Sequence, residues 1–440
     1  MDQDLAARLR EDDMKDIKYV LFSFTDLFGV MRSKLVPRHA VVDMQEHGAG
    51  FAGFAAHLDM SPADPDVWAV PDATSLIRIP WRSEVAWVAT NLVMNAEPVA
   101  HAPRVLLTHA IEKAKAHGYR LMAGVECEFF VIELDGSGIG DGLDVQDKPC
   151  YDQMALLRRY ALIDEICEAM TMLGWGPYQN DHEDANGQFE MNWAFSDALT
   201  TADRHAFFKF MVRDLAEKHG LRATFMPKPF ANLTGNGCHV HFSLWAAHGK
   251  RNVFEDEAGE LGLSVLAYQF LGGVLHSASG LAAIMNPTVN SYKRLNAPTT
   301  SSGSTWAPNA ITYAGNNRTH MVRIPEPGHL ETRLPDGSAN PYLLQAALLT
   351  AGMDGIENQR DPGKRLDGNM YDTVDNEQMT EIERLPENLL DALRALDKNL
   401  VIRAGLGDEF VDSYVRLKMG QWQEFTAHMS EWERCNTLDV

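Results

Sequence analysis

Four short segments alternate bulky apolar residues with carboxylates and imidazoles, and this pattern restricts the possible fold more than any other feature of the chain. In Val125-Glu126-Cys127-Glu128-Phe129-Phe130 the glutamates are two apart, so a strand sends both carboxylates to one face, roughly 6 to 7 Å from each other. Gln188 to Trp193 repeats the scheme around Glu190, His239-Val240-His241-Phe242-Ser243 with two imidazoles, and His329 to Leu334 with His329, Glu331 and Arg333. A half-exposed antiparallel strand with one solvated face accounts for any one of these. Four together do not fit solvated faces, because their aromatic and aliphatic partners demand burial and unpaired charges in low dielectric are prohibitive. Divalent cations resolve the conflict. Glu126, Glu128, Glu183, Glu190 and Glu331 with His239 offer oxygen-rich coordination plus one imidazole, which suits Mg2+ or Mn2+ better than structural zinc.

Arginines gather downstream: Arg294, Arg318, Arg323 and Arg333. Metals and convergent arginines are what phosphoryl transfer needs, since that chemistry is largely positioning and charge neutralisation. Between Arg294 and Arg318, Asn296 to Asn317 holds no acidic residue and is rich in Thr, Ser, Ala, Pro and Gly, which fits a mobile lid or a plain surface loop. The formal net charge of −22 over 440 residues argues against nucleic acid or an anionic membrane as partner. Five cysteines without C-x-x-C spacing argue against a disulfide framework or a zinc knuckle and fit a reducing cytoplasm. The charged opening predicts no export signal, and the apolar run Val265 to Met285, interrupted by Gln269, His276 and glycines, predicts a buried helix rather than a membrane span.

An α+β chain in two domains is expected, residues 1–102 and 103–440. Ile17 to Thr25 and Val30 to Val36 predict a hairpin turning at Asp26 to Gly29, with further strands at Ser75 to Ile79 and Val85 to Thr90. Helices are expected over Arg104 to His117, Asp152 to Leu173, Ala202 to His219, Tyr342 to Asn358 and Glu387 to Leu400. The glycine-rich Gly136 to Gly142 reads as a loop rather than a phosphate-binding fingerprint.

Over essentially its whole length the chain resembles the glutamine synthetases. The carriers are Val125 to Phe130, His182-Glu183 with Gly187-Gln188-Phe189-Glu190, Phe225-Met226-Pro227-Lys228-Pro229, Gly237-Cys238-His239-Val240-His241, Asn290 to Leu295, and Arg333-Leu334-Pro335-Asp336 leading to Ala339-Asn340-Pro341-Tyr342. The resemblance implies an N-terminal β-grasp domain, and a catalytic domain whose antiparallel sheet forms a partial barrel flanked by helices. It further implies active sites between subunits of a homo-oligomer, commonly a dodecamer. It assigns Glu128, Glu183 and Glu190 to one metal and Glu126, His239 and Glu331 to a second. Glutamate binding falls to Arg294, Arg333, Gly235, Glu128 and His239, and ATP to Phe195, His241, Ser243, Arg318 and Arg323. Arg318 is the arginine that stabilises the moving phosphoryl group, with Glu183 and Arg294 also catalytic.

Two positions depart from the family. Where ammonia-using members carry Phe-Asp-Gly-Ser-Ser, this chain has Phe51-Ala52-Gly53-Phe54-Ala55, and where the flap carries Tyr-Glu-Ala-Pro it has Thr305-Trp306-Ala307-Pro308. Both carboxylates that draw and deprotonate ammonium are thus replaced, and an apolar wall gains roughly 0.8 kcal/mol per CH2 it desolvates. The expected activity is ATP-dependent ligation of a small alkylamine, methylamine fitting best, to the γ-carboxylate of L-glutamate through γ-glutamyl phosphate. The alternatives are a glutamine synthetase in which Glu183 or Asp59 serves ammonium, and a ligase for a larger amine such as a polyamine. Retention of all six presumed ligands argues against a non-catalytic relative. Tyr371, in Asn369-Met370-Tyr371-Asp372-Thr373, reads as an ordinary surface tyrosine.

Overall fold

The computed structural model describes residues 4–300, 302, 304–371 and 382–440. Residues 301 and 303 of the expected lid, and Asp372 and Thr373 beside Tyr371, lie outside the described residues.

The expected hairpin forms as β1 (Tyr19–Thr25) and β2 (Met31–Pro37), paired antiparallel. Its turn is made by Asp26, whose buried carboxylate accepts from the backbone N–H of Phe28 and Val30 at 3.0 Å, and by Gly29 at φ +81°. β3 (Ala49–Phe51), β4 (Val67–Pro71), β5 (Ile77–Arg78), β6 (Val85–Met94) and β7 (Glu97–Pro98) complete a seven-stranded sheet along the path β2-β1-β6-β4-β3. Its central pair β1 and β6 is parallel, and the helix Val41–His47 packs against β4, as in a β-grasp. This helix, β3 and β4 have no counterpart in the sequence reading.

Residues 103 onward build two further sheets. The first has the order β12-β8-β14-β17-β16-β15, from β8 (Tyr119–Cys127), β12 (Ser196–Asp197), β14 (Cys238–Ala246), β15 (Tyr313–Ala314), β16 (Val322–Arg323) and β17 (Leu330–Thr332). The second has the order β10-β11-β9-β13, from β9 (Phe129–Glu133), β10 (Pro177–His182), β11 (Gln188–Trp193) and β13 (Leu221–Thr224). The first sheet is mixed, because β15 and β16 run parallel, while the second is antiparallel throughout. The two sheets meet at Glu128, the residue between β8 and β9, so Glu126 lies on β8 and Glu128 at the corner instead of both on one flat strand. Every residue of β11 is buried, which is the two-sided burial that the alternating pattern required.

Helices flank these sheets, and a continuous apolar core joins them. The helix Pro103–Ala116 begins with proline in its first turn, and Arg104 is buried between Asp203, at 2.9 and 3.0 Å, and Asp72, at 2.8 Å. That guanidinium ties the N-terminal sheet to the helix Ala198–Lys218. Asn340 caps Pro341–Glu357 through Tyr342 and Leu343, while its amide donates to the carbonyl of Asp26 at 2.8 Å. Two expected helices are each broken in two: Asp152 to Leu173 becomes Gln153–Arg158 and Tyr160–Met172, and the apolar run becomes Val265–His276 and Ala278–Met285, broken at Ser277. Among the described residues no helix is long and apolar enough to cross a membrane.

Candidate active site

The pairing of β8 with β14 sets Glu126 opposite His239, and that of β14 with β17 sets His241 opposite Glu331. Asp181 pairs with Glu190 between β10 and β11. Residues far apart in sequence therefore converge where the two sheets meet. Ligand atoms of Glu128, Glu183 and Glu190 lie within 4.8 Å of one another, as do those of Glu126, Glu190 and His239 and those of Glu126, His241 and Glu331, so the six expected ligands form one continuous cluster. His239 Nδ1 stands 3.7 Å from Glu126, 3.8 Å from Glu128 and 3.9 Å from Glu331.

The electrostatics show why such a cluster calls for cations. Burial, and then the charges of Glu126, Glu183 and Glu128, push Glu190 well above the ordinary carboxylate range; burial with Glu128 and Asp181 does the same to Glu183. Glu128 is pushed up to about 7, chiefly by burial. Glu126 goes the other way: burial opposes its charge, but the nearby imidazoles of His239 and His241 hold it below the usual range. Burial and then Arg333 press His239 down to about 4, so a neutral imidazole faces three carboxylates while its buried Nε2 has no partner among the described residues. Buried carboxylates that repel one another around a neutral imidazole fit a pair of divalent cations.

Glu331 differs from the other ligand candidates. Arg333 donates to one of its oxygens at 2.7 Å and Arg323 to the other at 2.8 Å. Burial works against its charge, yet the guanidinium of Arg333 with His239, His241 and Arg323 holds it down to about 2. His241, expected only as a nucleotide contact, also reaches Glu126 at 3.2 Å. Asp181 is absent from the sequence reading; burial and Glu126 push it up to about 6, and its two-residue spacing from Glu183 repeats the Glu126–Glu128 signal.

Two glycines make room for this crowding. A Cβ on Gly235 would lie 2.3 Å from the carbonyl oxygen of Pro227, and one on Gly237 would lie 2.7 Å from His239 Nε2 and 2.9 Å from Glu128 Oε1. The carbonyl of Gly235 accepts from Gln188, whose amide also donates to Glu128 at 2.9 Å. Arg294 is buried beside this loop and donates to the carbonyls of Leu334 and Arg333.

A cavity of about 630 Å3 opens beside Glu126, walled by Phe195, His241, Ser243, Arg318 and Arg323, which are the five residues expected to meet ATP. Phe195 is half exposed, a flat face available for stacking. A second cavity, of about 550 Å3, is walled by Trp306, Tyr371, Asp367 and again Arg318. Arg318 thus stands between the two, and among the described residues no carboxylate lies within ion-pair distance of it. Trp306 adopts φ +54°, and its buried Nε1 has no partner among the described residues. Asp367 is already held by Arg365 at 2.9 Å. Tyr371 is a half-buried wall residue rather than an ordinary surface tyrosine.

Ala52 and Phe54 sit exposed on the turn Gly53–Ala55 and line neither cavity. Asp59, the alternative ammonium carboxylate, is bound by Arg416 of the same chain.

A β-grasp sheet followed by two sheets that meet at a carboxylate–imidazole cluster, beside a nucleotide-sized cavity, defines an ATP-dependent ligase that forms carbon–nitrogen bonds. The chain belongs to the glutamine synthetase family: the model for the glutamine synthetase catalytic domain matches residues 100–437. Members of that family depend on ATP and divalent metals. The chain is 57% identical to a glutamine synthetase of Rhizobium leguminosarum bv. phaseoli, over all of both chains, and 43% identical to a glutamate–methylamine ligase of Methyloversatilis universalis, over 95% of each. It also matches a solved GmaS–ADP complex, at 59% identity and a TM-score of 0.94 over the full length of both chains.

Proposed function

We propose that the protein joins a small alkylamine, methylamine before others, to the γ-carboxylate of L-glutamate. The observation that carries this reading is the wall of the flap cavity. At the position of the family's flap carboxylate stands Trp306, and the one carboxylate among the described residues of that wall, Asp367, is paired with Arg365. An indole and a phenol desolvate a methyl group and can face an alkylammonium, whereas ammonium gains most from anionic hydrogen-bond partners. The likeness to GmaS and to a methylamine ligase supports the same reading.

In the proposed reaction Arg294 and Arg333 hold glutamate, with the Gly235 carbonyl, Glu128 and His239 completing its site. Phe195, His241, Ser243 and Arg323 hold the nucleotide. The γ-carboxylate attacks the γ-phosphate of ATP, ADP leaves, and Arg318, between the cavities, stabilises the phosphoryl group as it passes. The neutral amine then attacks the acyl carbon and phosphate leaves, with Glu183 beside the site to take the amine's proton. The six cluster residues would hold Mg2+ or Mn2+, which when bound supplies the charge neutralisation that phosphoryl transfer requires.

Residues 1–102 act in this reading as a separate unit. Ala52 and Phe54, exposed in the single chain, complete the amine site of a neighbouring subunit in a ring-shaped homo-oligomer, a dodecamer being the arrangement common in the family. The test is ATP-dependent phosphate release with glutamate and Mg2+, comparing kcat/KM for methylamine, ammonium, ethylamine and putrescine. Methylamine should lead, and Ala52→Asp with Trp306→Glu should move preference toward ammonium. Faster turnover with ammonium would favour the second reading, a glutamine synthetase, which the 57% and 56% identical relatives of that name support.

A further inference from the structure

Behind the carboxylate cluster, on the opposite face of the same two strands, lies a second group of ligand-type side chains. Cys127 and Cys238 are direct partners across the β8–β14 ladder, just as Glu126 and His239 are partners on the other face. His205, from the helix Ala198–Lys218, closes the group: its Nε2 is 3.8 Å from Cys238 Sγ, and the two sulfurs and one of its ring nitrogens all lie within 4.8 Å of one another. All three residues are fully or almost fully buried, and both cysteines are free thiols.

We propose that Cys127, Cys238 and His205 bind one thiophilic d10 cation, zinc or cuprous ion, which clamps β8 to β14. The donor set is two sulfurs and one imidazole, without the oxygens that Mg2+ and Mn2+ take, so the two faces of one strand pair sort soft from hard metals. Metal bonds of about 2.3 Å to sulfur and about 2.0 Å to nitrogen set the donor atoms nearly 4 Å apart, close to the spacing already present. The imidazole gives an independent reason. His205 is buried, its Nδ1 has no partner among the described residues, and its Nε2 meets only sulfur. A buried imidazole with so little hydrogen bonding is costly unless something else satisfies it. A zinc ion displaces two thiol protons, and a cuprous ion one; the protons pass to water, so in either case the site itself stays neutral. Lys209, one turn further along the helix, is buried with its ammonium given to the carbonyl of Gly337 at 2.7 Å, so it does not compete for the imidazole or the sulfurs. The clamp fixes the separation of Glu126 and His239 from behind, without contact with substrate.

The probe is Cd2+, applied to the full chain with Cys150, Cys167 and Cys435 changed to Ser, metal-stripped and then held in excess Mg2+ to fill the hard site. An ultraviolet thiolate-to-cadmium band saturating at one equivalent per chain, with a rise in Tm, is expected, and both should vanish in Cys238→Ala and weaken in His205→Ala. Because Cys238 packs in the core and its variant can unfold, a second measurement uses the unaltered protein. Made with zinc and washed with chelator, it should keep one tightly held zinc per chain, with two sulfur neighbours by X-ray absorption. A folded chain that shows no band and keeps no zinc, or one isolated with a Cys127–Cys238 disulfide, would overturn the proposal.

Discussion

Glu190 cannot stay charged where it is without help, since burial and three neighbouring glutamates all favour its neutral form. Protons and divalent cations therefore compete for one cluster. Mn2+ binding at pH 7 should release protons from Glu190, Glu183 and Glu128, and affinity should tighten as pH rises through the range near 7 to which Glu128 is pushed. Calorimetry in buffers of different ionisation enthalpy reads the release, and an Mn2+ affinity that ignored pH between 6 and 8 would contradict it. Gly235→Ala offers a steric test: a methyl 2.3 Å from the Pro227 carbonyl must move the loop, so the KM for glutamate should rise at least tenfold. Much at this scale was legible, because strand alternation alone put Glu126, Glu190, His239 and Glu331 among the ligand candidates. Alternation also put Arg333 beside Glu331, but the second arginine on that carboxylate, Arg323, was not legible, because it depends on the register of strands only two or three residues long. Nor was the meeting of Cys127 with Cys238, 111 positions apart, since local spacing reveals metal ligands only when they are neighbours in sequence.

Among the elements, the helices capped by Asp197 and Asn340 were read to begin at Ala202 and Tyr342, within four residues of their starts at Ala198 and Pro341. The breaks at Arg159 and Ser277 carry no proline or cap signal, so helical periodicity ran through them. β3 went unread because Ala49-Gly50-Phe51 is too short for alternation to stand out, and β4 because Val67 to Pro71 is apolar throughout and shows none. Asn340 does two tasks, and Asn340→Ala should show both. Loss of the cap costs about 0.5–2 kcal/mol, and the Asp26 carbonyl loses its donor as well. Thermal denaturation should show a lowered Tm, and Asn340→Asp, which keeps the cap acceptor but loses the amide donor, should recover only part of it.

For the whole molecule, the contact between the N-terminal hairpin and the later helices sets the balance of stability. Lys418, buried in the helix Asp408–Ala427, has its ammonium 4.0 Å from the ring centre of Phe28, and burial presses its pKa down to about 7 despite Asp26 and Asp336. The unfolded chain holds that proton more tightly, so the lysine's penalty is full below pH 7 and is relieved as pH climbs toward the ordinary lysine value. Lys418→Met should therefore raise Tm most at pH 6 and flatten its rise between pH 7 and 9; a Tm gain that did not depend on pH would show that packing alone was at work. The sequence announced both the hairpin and the resemblance to its family, but not this contact, which joins residues nearly four hundred positions apart. The tie between Asn340 and Asp26 spans 314 positions. At about 5–20 residues per second on the ribosome, the hairpin waits on the order of half a minute for its partner to be made. Throughout that interval the docking face of the nascent chain is uncovered, and the birth of this protein, more than its mature state, is where a chaperone has work to do.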